Sequence, residues 1–97
     1  MTRYILSPLA RADLDHIWEH TSKRSDDDQA ETSLRMIRAA IDAVAAYPKL
    51  GRQHDEVLAG YRRHRASSHL IFYREASSAI DIVRVLHEKM DIGLHLP

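Results

Sequence analysis

The sequence predicts an α+β domain: a strand, an antiparallel helical hairpin, then a three-stranded antiparallel meander, in the order β-α-α-β-β-β. Three observations carry this. Apolar residues recur every three or four positions through the first half, and runs rich in β-branched and aromatic residues fill the second. The few Gly and Pro residues, among them Pro8, Pro48, Gly51 and Gly60, sit where the pattern changes.

Tyr4-Ile5-Leu6 reads as the core of a first strand over about residues 3–7, stopped by Ser7-Pro8. Ser7 is a good N-cap, and Pro8 suits the first helical position because its missing N–H would be unpaired there anyway. The first helix is expected from Pro8 to about Lys23, with an apolar stripe of Ala10, Leu14, Ile17, Trp18 and Thr21. Ser25 is the expected cap of the second helix, and Asp26, Asp27 and Asp28 complement its positive end. Ala30, Leu34, Ile37, Ile41 and Val44 give that helix its buried face up to Tyr47-Pro48. The stripe of the first helix, Trp18 included, is expected to pack against it. Residues 48–60 read as a loop. Tyr61–Arg65, Leu70–Arg74 and Ile80–His87 read as the three strands of the meander.

At 97 residues the chain is one domain, with 44% hydrophobic and 29% charged residues, an ordinary globular composition. Lys plus Arg and Asp plus Glu are 14 each, a zero balance that argues against a bulk polyanion binder and against direct nucleic-acid binding. Without cysteine there are no disulfides, thiolate nucleophiles or Cys-ligated zinc. No apolar run approaches the ~20 residues needed to span a bilayer. The opening Met1-Thr2-Arg3-Tyr4 lacks the apolar core of a signal peptide, so the expected location is the cytoplasm.

Several constellations suggest chemistry, and most have plainer explanations. His16 and His20 lie four apart on the first helix with Asp13 one turn earlier, a spacing that can hold a divalent metal. No third ligand is forced into reach, so solvated or partner-facing histidines are favoured and no metal is expected. Ser67, Ser68 and His69 lack a nucleophile elbow and read as a hairpin turn. Asp26–Asp28 lacks the alternation, glycine and late glutamate of a calcium loop. Trp18 is expected as a core or interface anchor. Arg62, Arg63, His64, Arg65, His69 and Arg74 form the one basic cluster, with no acid between Gly60 and Arg74. Beside Tyr61, Phe72 and Tyr73 such a stripe suits RNA or the acidic residues of a protein, and the zero net charge favours the protein.

The strands also pose a packing question. Leu70-Ile71-Phe72-Tyr73, and Ile80 with Ile82, Val83, Val85 and Leu86, place apolar groups on both sheet faces, while one helical hairpin covers one. Either the C-terminal segment or a partner must cover the other. A partner is favoured, with the isolated chain expected to be poorly soluble or self-associating.

Gly60-Tyr61-Arg62-Arg63, Ser68-His69-Leu70-Ile71-Phe72-Tyr73-Arg74, Ile82-Val83-Arg84-Val85-Leu86-His87, Met90-Asp91 and His95-Leu96 resemble the ParE branch of the RelE/ParE toxin superfamily. The opening Tyr4-Ile5-Leu6-Ser7-Pro8, then Ala12-Asp13-Leu14 and Ile17-Trp18, and Tyr47-Pro48 with Gly51, are similar to it too. The resemblance runs nearly end to end. It implies a toxin of a bacterial type II toxin–antitoxin module that inhibits DNA gyrase and is neutralised by a ParD-like antitoxin in a hetero-oligomer. The RelE branch, which cleaves messenger RNA on the ribosome, is the alternative. The group His87-Glu88-Lys89 and the lack of any tyrosine beyond Tyr73 disfavour it here. For a gyrase inhibitor no catalytic residue and no cofactor are expected, and the site is a contact surface. Its candidates are Arg62, Arg63, Arg65, His69, Tyr73, Arg74, Arg84, His87, Met90 and Asp91. Against that stand structural roles: Tyr73 in the core, Arg74 and Arg84 in ion pairs with Glu75 or Asp81, and Met90-Asp91 as a C-terminal clasp.

Overall fold

The computed structural model describes residues 3–53 and 60–96. Strand β1 (Tyr4–Leu6) leads into helices α1 (Pro8–Arg24) and α2 (Asp27–Ala46). A 3₁₀ turn (Pro48–Leu50) and β2 (Arg52–Gln53) precede β3 (Arg62–Ala66), β4 (His69–Glu75), β5 (Ile80–His87) and a short α3 (Ile92–His95). The predicted strand, hairpin and meander are all present. The sheet has five strands in the order β1-β5-β4-β3-β2, with β1 parallel to β5 and the other pairs antiparallel. The fifth strand comes from the expected loop at 48–60, whose residues 54–59 lie outside the described residues. No helix among the described residues is long and apolar enough to cross a membrane.

Ser7 caps α1 as expected, its Oγ accepting the Ala10 N–H at 3.0 Å. The second cap is corrected by one residue. Asp26, not Ser25, accepts the Gln29 N–H at 2.7 Å, and the Ser25 N–H instead donates to the Thr21 carbonyl to end α1. A carboxylate at the positive end of a helix is the stronger acceptor of the two.

Ile37, Ile41 and Val44 of α2 and Ala10 of α1 pack on Ile71, Tyr73, Ile80, Ile82 and Val85 of the sheet, with Leu14 and Ile17 alongside. Trp18 does not join them. It stays 38% exposed, so of the two roles expected for it, core or interface anchor, the core role fails.

The opposite sheet face corrects a second expectation. Leu70, Phe72 and Leu86 form their own buried cluster, and Ile92 and Leu96 from the C-terminal segment pack against it. Phe72 is fully buried without any second protein. The apolar residues on both faces are thus served within the chain, and the packing argument for a partner on this face lapses.

The edge of β5 is closed in an unexpected way. β1 pairs only with Ile80–Ile82. Beyond it, α1 and its N-cap supply the missing partners: Ser7 Oγ donates to the Val83 carbonyl at 2.7 Å, and Asp13 accepts the Val85 N–H at 2.9 Å. Two polar side chains, one from the helix and one from its cap, thereby continue the ladder where the strand stops.

Candidate functional site

Past the end of β1, α1 and the β4–β5 hairpin enclose a cleft of about 590 Å³. His16, Ile17 and His20 line it from the helix, His69, Val85 and His87 from the strands, and Met90 from the turn after β5. The four-residue spacing on α1 puts both helical histidines on one side. His69 and His87 are register partners whose rings meet edge to face with centroids 5.3 Å apart.

The two strand histidines differ in role. The Lys89 N–H donates to His87 Nδ1 at 3.1 Å, so a neutral His87 carries its hydrogen on Nε2. Burial, and then the neighbouring His87, lower the pKa of His69, with Glu88 acting weakly the other way. Burial thus favours the neutral form of the His69 ring. Among the described residues no three His, Asp or Glu side chains are grouped to hold a metal.

Arg84 sits at the cleft wall with every arm occupied. Nε and Nη2 donate to the two carboxylate oxygens of Asp13 at 2.8 and 2.7 Å, and Nη1 donates to the His95 carbonyl at 2.7 Å. The pair is 13% and 12% exposed, and the Asp13 hydrogen bond raises the Arg84 pKa further. This is an internal strut joining α1, β5 and α3. Its partner is neither Glu75 nor Asp81, as expected, but Asp13.

Other candidates separate by face. Tyr73 is fully buried; its hydroxyl donates to the Pro48 carbonyl at 2.7 Å and accepts the Gly51 N–H at 2.8 Å. Burial raises its pKa, against the Gly51 bond and the charge of Arg62. Gly51 must be glycine here, since a Cβ would lie 2.7 Å from the Tyr73 ring. Arg62, opposite Tyr73, donates to the Gly51 carbonyl at 2.8 Å and completes the latch. Arg74 reaches Asp81 at 3.3 Å at the far end of the hairpin. Arg65 is paired with Glu88, and that pairing lowers the Glu88 pKa. Asp91 caps α3, accepting the Gly93 N–H at 3.1 Å. Ser67 and Ser68 form the expected turn between Ala66 and His69, with Ser67 at φ 58°.

Of the candidates, the cleft brings together His69, Arg84, His87 and Met90. Arg63 and Arg65 stand on the other sheet face, and Arg62, Tyr73, Arg74 and Asp91 serve packing, latching or capping.

Residues 4–92 match the family model described as ParE toxin of type II toxin-antitoxin system, parDE. The chain belongs to the ParE toxin family. Toxin ParE1 of Mycobacterium tuberculosis (strain ATCC 25618 / H37Rv) is 49% identical over 96 residues, covering 98% of each chain. Toxin ParE1 of Caulobacter vibrioides is 40% identical, covering 99% of each. A solved structure described as a chromosomal ParDE TA system from P. aeruginosa shares the fold, with a TM-score of 0.79 over 90% of this chain and 96% of that one at 19% identity. Within the ParE fold of this chain, sequence reading placed Asp13 beside the helical histidines but not as the partner of Arg84, and it did not single out Arg52. Asp13 had a visible signal in its place one turn before His16 on α1. Arg52 had none, because a two-residue strand leaves no periodicity.

Proposed function

We propose that this chain is a cytoplasmic protein inhibitor of DNA gyrase, held inactive by a ParD-like antitoxin in a hetero-oligomeric complex. Membership of the ParE family along nearly the whole chain supports the toxin role. The state of the cleft is the observation that carries the mechanism. Phosphodiester cleavage needs a base, an acid and a cation free to meet the developing charge. Here the one arginine in the cleft is saturated by Asp13 and His95, and His87 Nδ1 already accepts a backbone N–H. Such a surface is built to be contacted. The toxin then acts by occupying gyrase, and the antitoxin by covering the toxin.

Purified chain is expected to inhibit supercoiling by gyrase, to leave messenger RNA on ribosomes intact, and to lose its effect when the ParD-like product of the neighbouring gene is added. Ribosome-dependent cuts with unimpaired supercoiling would overturn the reading in favour of ribonuclease.

A further inference from the structure

Arg52 and Arg63 are register partners in the β2–β3 ladder, at the edge of the sheet. Opposed residues of an antiparallel pair project from the same face with their Cβ atoms about 5 Å apart, where like charges repel. Arg63 is in turn opposite Phe72, and Arg65 opposite Leu70, so all three arginines rise from the face carrying the Leu70–Phe72–Leu86 cluster. They border a shallow depression of about 240 Å³ that Leu50, itself half exposed, shares with them. Among the described residues, Arg52 and Arg63 have no acidic partner. Arg65 keeps 59% of its side chain exposed despite Glu88.

We propose that this arginine face binds an acidic polypeptide segment, of the kind an antitoxin arm would present; the assignment of the segment to an antitoxin rests on the function proposed above. A carboxylate between Arg52 and Arg63 removes the like-charge repulsion and suits the planar donors of a guanidinium. The apolar flank of Leu50 and Leu70 fits a chain that alternates acidic and aliphatic side chains. A nucleic acid fits less well, because a chain of zero net charge gains little long-range attraction to a polyanion. Charged groups at such a rim set association rate and orientation before affinity.

The test uses the full chain and three probes: a synthetic peptide alternating Glu and Val, its Gln–Val counterpart, and a short DNA duplex. The Glu peptide is expected to bind at least about tenfold more tightly than the Gln peptide at low salt, with the difference shrinking as salt rises. R52Q/R63Q should abolish that preference without lowering the melting temperature, since it relieves a repulsion. R74Q, at the far end of the hairpin, should retain it. Equal binding of the two peptides, a preference surviving R52Q/R63Q, or tighter binding of the duplex would each overturn the proposal. The two readings fail separately. Antitoxin affinity unchanged by R52Q/R63Q, with gyrase inhibition intact, removes this surface alone. Unimpaired gyrase together with a retained Glu preference removes the gyrase reading alone.

Discussion

Arg84 and His69 stand at the same cleft and respond to burial in opposite ways. The guanidinium cannot shed its charge, so it is held by three hydrogen bonds to Asp13 and His95. Arg84→Ala would strand the largely buried Asp13 carboxylate, and a loss of about 3 kcal/mol in urea unfolding is expected. Arg84→Lys should recover only part, because an ammonium cannot form the two-pronged contact. His69 escapes the cost of burial by staying neutral. Its folded pKa lies below the unfolded value of about 6.5, so on acidification the unfolded chain takes up the proton first. Stability is therefore expected to fall as pH drops below about 6.5, and His69→Asn should flatten that slope. The Arg65-stabilised Glu88 carboxylate has a lowered pKa, so its contribution is lost only at lower pH, through the carboxylate range. A melting series across these two windows separates them. Arg84 also marks where sequence reading stops: Asp81 lies close in sequence, but the true partner is 71 positions away, and only the fold brings it near.

Elements were legible to the extent that local chemistry decides them. Ser7-Pro8 announced the start of α1 because cap, proline and helix are consecutive. The Ser25/Asp26 choice was open because either side chain can accept an N–H three residues on, and the extended backbone of Asp26 decides it. Asp26→Ala is expected to cost about 1 kcal/mol, and Ser25→Ala much less, in paired thermal unfolding experiments. α2 also carries the core: Ile37 is almost fully buried, and Ile37→Ala should cost about 2–5 kcal/mol by urea unfolding. β2 was hidden for the opposite reason. Its two residues exist as a strand only because β3 lies alongside, and the Tyr73 hydroxyl holds the turn before it.

At the scale of the whole molecule, the sheet has two apolar faces and the chain covers both by unequal means. The helical hairpin buries one with a broad interface, whereas the other rests on Ile92 and Leu96 of a segment whose only helix is four residues long. So short a helix has little stability of its own, and it is held by what it covers. Arg84 ties it down through the His95 carbonyl, so the strut at the cleft also keeps the second face closed. This reverses the expectation of a poorly soluble chain: with Leu70, Phe72 and Leu86 buried, the isolated protein should run as a monomer in light scattering. Ile92→Ser/Leu96→Ser removes the apolar contacts of the cover while leaving the hairpin core untouched. The exposed patch would then seek another surface, and concentration-dependent association is expected with secondary structure largely retained. A double variant that remained monomeric at high concentration would mean that the cluster is closed by something other than these two side chains.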